Sequence, residues 1–211
     1  KSEYLTEKQL STEMSPIAVD LDLHFDYSLT ERIYSQEHLD DLVDVYLAEM
    51  KDMFCFDENT KFPVFLFEKS KVNRVQEKQI TKDGIHMIIG VQMKHDVQEI
   101  LRKNVIPKVQ EIWGDFPIIN TWNDVFDEGI TKGYTNWQLY GSCKPQHEPY
   151  KLTCVYEISY DEDDGELIND RGNPSDYLTC EKFPMLSVRY PDHLNLLYKQ
   201  SFLEKMENRS K

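Results

Sequence analysis

The stretch Ile17-Ala18-Val19-Asp20-Leu21-Asp22-Leu23 constrains this chain more than any other. It alternates strictly, with Ile17, Val19, Leu21 and Leu23 on one face of a strand and Ala18, Asp20 and Asp22 on the other. Two carboxylates at i and i+2 leave a strand from the same face, about 6–7 Å apart along the chain. The flanks are wholly apolar, which marks a central, covered strand. Two like charges packed there are costly unless a cation balances them. Acids so placed can reach one hard divalent ion, or one each of a closely spaced pair. A bare pair of this kind equally describes a solvated polar face.

Around that strand the periodicities switch between helix and strand. Ser35-Gln36-Glu37-His38 reads as a capping box, followed by Leu39, Leu42, Val43, Tyr46, Leu47 and Met50 at helical spacing to about Phe54. Pro63–Phe67 and Ile85–Met93 read as strands. Residues 94–113 follow a helix that Pro107 is expected to kink or break. The stretch 122–133 is turn-rich, 137–140 and 153–158 read as strands, 161–165 as an acidic turn and 192–206 as a last helix. This irregular mixture predicts an α+β (mixed α/β) fold. The 211 residues fit a single domain, with residues 1–16 as a disordered lead-in.

Charge narrows the function classes. With 24 Lys+Arg against 38 Asp+Glu, the net charge of −14 excludes a broad basic surface for duplex DNA, but leaves carboxylates to hold metal ions. The most basic local stretch holds Lys69, Lys71, Arg74, Lys78 and Lys82 against Glu77. It is the candidate template- or nucleotide-facing loop, and equally an ordinary exposed one. No window approaches the roughly 18 apolar residues of a membrane span, and no basic-then-apolar leader opens the chain, so no membrane and no secretion are expected. The four cysteines, Cys55, Cys143, Cys154 and Cys180, lack CxxC spacing, which points to a reducing compartment, cytoplasm or nucleus.

Further along the chain, Gly84-Ile85-His86 follows Lys82, with Gly84 permitting a close backbone approach. Asp127 stands ten residues before Trp137, and Lys144 seven after it in Gly141-Ser142-Cys143-Lys144. Asp124 competes with Asp127 as the third acid. Each motif alone is commonplace; the order carries the information.

That order, from about Ile17 to Pro145, resembles the archaeo-eukaryotic primase superfamily. The likeness is closest to the primase half of helicase-primases of large nucleocytoplasmic DNA viruses of the poxvirus and giant-virus type, with eukaryotic primase-polymerase as a cousin. The resemblance implies an RRM-like sheet plus a small α/β lobe. It also implies template-directed primer synthesis on single-stranded DNA by two Mg²⁺ or Mn²⁺ ions. By it, Asp20, Asp22 and Asp127 are catalytic metal ligands, and Lys82, Gly84, His86, Gln138 and Lys144 bind the nucleoside triphosphate. Lys69, Lys71, Arg74 and Lys78 are the candidate template contacts.

Gln138 departs from the family pattern, where many relatives carry an Arg, and Gly84 replaces a Ser. Relatives carry a helicase domain further along a longer chain, work at a viral replication site in host cytoplasm or nucleus, and would oligomerise through regions outside this stretch. No Gly-rich Walker loop occurs here. Two other readings use the same residues. One is a metal-dependent phosphoesterase or nuclease. The other is a non-catalytic RRM-like binding or assembly module, for which the RNP patterns are missing.

Overall fold

The computed structural model describes residues 4–9 and 14–209, the side chain of residue 209 excepted. The elements in order are β1 (Thr6–Glu7), β2 (Ser15–Asp26), α1 (Gln36–Met53), β3 (Lys61–Glu68), β4 (Asn73–Val75) and β5 (Ile80–Met93). Next come α2 (His95–Ile112), α3 (Trp122–Val125), α4 (Glu128–Thr131), β6 (Trp137–Gln138), β7 (Lys151–Asp161), β8 (Glu166–Gly172) and α5 (Gln200–Arg209). The main sheet runs β2-β5-β3-β7-β8 with every neighbour antiparallel, and β4 pairs with the outer part of β5. This is the mixed α+β class expected.

Register assigns the faces. Ile17 pairs with Ile89, Val19 with Met87 and Leu21 with Ile85, so one face of β2 and β5 is apolar over this stretch, before Asp83 and Thr81 follow on the same face. Against it pack Leu39, Leu42, Val43, Tyr46 and Met50 of α1 and Val97, Leu101, Val105 and Val109 of α2. Helix α1 starts where the capping box predicts: the Ser35 amide donates to His38 Nδ1 at 3.0 Å. Fully burying a side chain such as Leu42 stabilises by about 1.5–3 kcal/mol, and Leu42→Ala costs about 2–5 kcal/mol once the cavity is included.

On the other face, Ala18, Ile88, Phe65 and Val155 lie across from one another and form a second, smaller core with Ile130, Trp137, Tyr177, Leu186 and Val188. The cover here is β6 with its partner β1, and turns from residues 130–150 and 173–193.

Several elements differ from the sequence expectation. Helix α2 runs unbroken through Pro107, because that residue sits on the exposed side, where water can serve the freed carbonyl. Strand β6 is only two residues, and β8 was not foreseen, since its alternation is polar on both faces. The last helix begins at Gln200, not 192. Leu194, Leu196 and Tyr198 pack at period two, and the Leu194 backbone bonds to Gly90 and Gln92 of β5. The opening residues are no mere lead-in: Thr6 and Glu7 pair with Gln138 and Trp137, Gln9 is buried, and β2 starts at Ser15. Residues 1–3 and 10–13 lie outside the described residues.

Candidate active site

The polar end of the second face is a cavity of about 330 Å³. It forms because β2 and β5 carry polar residues in matched register: Asp20 faces His86, Asp22 faces Gly84, and His24 faces Lys82. Cross-strand partners share a face, so two short motifs 60 residues apart become one surface. Asp20 Oδ1 lies 3.4 Å from His86 Nε2. Asp22 Oδ2 accepts from Lys82 Nζ at 2.6 Å and meets His24 Nε2 at 2.8 Å.

His86 is 7% exposed and sits between rings, stacked on Tyr150 at 3.6 Å between centroids and tilted against Trp137 at 4.4 Å. Gly84 makes the stack feasible: a Cβ there would overlap the Tyr150 hydroxyl. Burial first, and the Asp20 and Asp22 charges next, push the Tyr150 phenol well above its ordinary range.

The third acid arrives from the segment that covers the free edge of β2. Asn120 donates to the Asp22 carbonyl at 2.8 Å and accepts from the His24 amide at 3.1 Å. Phe126 bridges Leu21, and the Asp127 amide donates to the Asp20 carbonyl at 2.9 Å. An otherwise unpaired edge is thereby satisfied, and Asp127 is placed beside Asp20. The Asp127 Oδ1 also accepts the Ile130 amide at 2.6 Å, starting α4. Asp124 lines the same cavity, with its Oδ2 accepting the Thr121 hydroxyl at 2.7 Å.

Basic side chains line the same cavity: Lys69, Lys71, Lys82, Lys144 and His147, with Lys82 already paired to Asp22. Burial and then Lys144 hold the Lys69 ammonium below the usual lysine range, while Asp20 and Asp22 pull the other way. Desolvation, then Lys69, Lys144 and Lys82, lower the His147 imidazole.

Beneath the cavity, on the helix face, Arg32 grips Asp83 with both oxygens at 2.8 Å, donates to Glu68 at 3.1 Å, and holds the Lys69 carbonyl at 2.8 Å. Tyr34 adds a 2.8 Å bond to Glu68. This network ties Asp83, next to Lys82, to Glu68 and the backbone of Lys69.

Of the residues singled out from sequence, Asp20, Asp22, Asp127, Asp124, Lys82, Gly84, His86, Gln138, Lys144, Lys69 and Lys71 all line the cavity. Arg74 and Lys78 do not. Arg74 stacks 4.0 Å over the Tyr27 ring and donates to its carbonyl, and Lys78 lies exposed in a 3-10 turn. Gln138 Nε2 is spent on the Ser142 carbonyl, closing a turn. Sequence reasoning missed Tyr150, His147, Asn120, Arg32 and Asp83. Nothing local marks them, since each matters through a partner distant in sequence.

Three carboxylates facing one cavity suit a hard divalent cation in donor chemistry. Among the described residues, however, no three His, Cys, Asp or Glu side chains form a ready metal cage. Asp22 is engaged by Lys82 and His24, and Asp127 by its helix cap. The acids share the cavity, but their carboxyl groups are held by protein partners.

An antiparallel sheet backed by two helices, bearing acids, an imidazole and lysines in one cavity, is consistent with a domain of the archaeo-eukaryotic primase superfamily. A family model described as the C962R protein N-terminal AEP domain matches residues 1–156, and the chain belongs to that family. No curated protein matches the chain. Among the described residues, no helix is long and apolar enough to cross a membrane.

Proposed function

We propose that this chain is a template-directed nucleotidyltransferase that synthesises primers on single-stranded DNA. One observation carries the reading: Asp20, Asp22 and Asp127 open into the same cavity as His86, Lys69, Lys82 and Lys144. Acids and cations in one cavity suit a substrate that brings metal and polyphosphate together.

In this reading Asp20, Asp22 and Asp127 hold Mg²⁺ or Mn²⁺. Two such ions, when bound, lower the pKa of an attacking 3′-hydroxyl and neutralise charge on the departing pyrophosphate. Lys82, Lys144 and Lys69 supply positive charge to the triphosphate. His86, fixed between Tyr150 and Trp137, donates a hydrogen bond to it from an orientation set before substrate arrives. The turn at Gln138 takes no part in gripping phosphate. Lys71 at the rim is the better candidate for the template than Arg74 or Lys78. A net charge of −14 makes generic DNA binding weak and salt-sensitive, which fits a domain that works beside a helicase in a longer chain.

The test uses single-stranded DNA, labelled triphosphates and Mn²⁺, with and without a primer. Strand synthesis with pyrophosphate release supports the reading. Shortened DNA favours the phosphoesterase alternative, and no reaction together with DNA binding unaffected by Asp20→Ala favours the binding-module alternative.

A further inference from the structure

The peptide unit between Phe126 and Asp127 is pinned at both ends. Its N–H donates to the Asp20 carbonyl at 2.9 Å. Its C=O, on Phe126, accepts twice from one guanidinium, Arg102 Nε at 3.0 Å and Nη2 at 2.7 Å. Arg102 Nη2 also donates to the Asn123 carbonyl at 2.6 Å. Arg102 comes from α2, is 5% exposed, and is spent on the backbone of this one segment.

A buried cation whose hydrogen bonds go to neutral carbonyls is a poor stabiliser by itself, because no carboxylate pairs with it directly and Glu128 acts on it only through space. What it provides is direction. A guanidinium is a rigid fork, and two of its donors converge on the Phe126 oxygen while Asp20 holds the N–H, so the peptide unit is held at both ends. With the peptide unit held, Asp127 Cα is placed, and the cap bond from the Ile130 amide to Asp127 Oδ1 restrains the remaining rotation of the side chain. A positive charge on the carbonyl also polarises the amide and strengthens its bond to Asp20. Asp127 itself sits in a short segment between two four-residue helices, too brief to hold its own orientation.

We propose that Arg102 is a positioning residue for the candidate catalytic site: it holds the Phe126–Asp127 peptide unit so that Asp127 joins Asp20 and Asp22 on the same metal-binding cavity. This rests on the nucleotidyl-transfer reading, and the experiment separates the two.

Arg102→Lys, which keeps a cation without the fork, and Arg102→Met, which removes it, are compared with Asp127→Ala and the Arg102→Met/Asp127→Ala double variant. Three readouts are taken on folded protein: hydrogen exchange at the Asp127 amide, Mn²⁺ affinity by electron paramagnetic resonance, and strand synthesis. Both Arg102 variants are expected to speed exchange at the Asp127 amide and weaken Mn²⁺ binding about tenfold. The double variant should bind Mn²⁺ within about threefold of Asp127→Ala alone, since both changes remove the same contribution. A structural role alone would lower the melting temperature of Arg102→Lys without moving Mn²⁺ affinity.

If Asp127→Ala loses Mn²⁺ affinity and synthesis while both Arg102 variants keep them, the positioning role is overturned and the nucleotidyl-transfer reading stands. If Asp127→Ala itself keeps both, the role of Asp127 in that reading fails, and the inference falls with it.

Discussion

Lys82 Nζ sits 2.6 Å from Asp22 Oδ2, on the carboxylate that the proposed chemistry gives to a metal ion. One ammonium thus balances an acid that would otherwise repel Asp20, and a divalent ion must compete with it. Both side chains are about a third exposed or more, so the pair adds little stability. Lys82→Met is therefore expected to leave the melting temperature within a few degrees, tighten Mn²⁺ binding several-fold without nucleotide, and weaken triphosphate binding about tenfold. Calorimetric titration of each ligand checks all three. Asp22→Ala, by the same logic, gains no stability from relieved repulsion, because it leaves Lys82 and His24 without that partner.

Gly84 and Tyr150 form a steric pair. A methyl group at 84 would overlap the phenol oxygen, whereas the next ring atom, Cζ, lies at 3.4 Å, an ordinary contact. Gly84→Ala should cost about 1–3 kcal/mol, as overpacking does, and disturb the stack on His86. Adding Tyr150→Phe should restore most of that loss in urea denaturation. If the double variant is no more stable than Gly84→Ala, the clash is not what makes the glycine necessary.

Arg32 supports the floor of the site by holding two nearly buried acids, Asp83 at 2% and Glu68 at 8% exposure. Burial, with the Glu68 charge adding to it, pushes the Asp83 carboxyl above its ordinary range, and Arg32 opposes the shift. Arg32→Met leaves both acids without this cation and is expected to destabilise by about 3–5 kcal/mol. Asp83→Asn in that background should recover part of it. Chemical denaturation of the two variants beside the wild type is the measurement.

The legible parts of this molecule are those whose signal is local. Alternation exposed Asp20 and Asp22, the capping box began α1, and Gly84-Ile85-His86 could be recognised as written. What could not be read is pairing. Tyr150 matters only because the sheet brings it onto His86, and Arg32 only because it meets Asp83 51 residues later. The basic stretch divides for the same reason: β4 pairs with β5 and turns Arg74 onto Tyr27, while Lys69 and Lys71 face the cavity. The last helix was misjudged because period-two packing at 194–198 mimics part of a helical stripe.

His193 carries a pH dependence away from the site. It is 3% exposed, its Nε2 lies 3.0 Å from the Met185 carbonyl, and burial lowers its imidazole below 6.5 despite that bond. The unfolded chain then binds a proton below pH 6.5 that the native state refuses. Stability falls as pH drops through 6.5 and levels off below the native pKa. Urea midpoints between pH 7.5 and 5 should show this loss, and His193→Gln should flatten that part of the curve.

In the proposed site Asp20, Asp22 and Asp127 jointly hold the ions of nucleotidyl transfer. Mn²⁺ binding, followed by electron paramagnetic resonance in the presence of a non-hydrolysable triphosphate, tests it most directly. The account predicts that Asp20→Ala, Asp22→Ala and Asp127→Ala each weaken or abolish binding at least tenfold while the protein stays folded. Wild-type Mn²⁺ affinity in all three variants would contradict it.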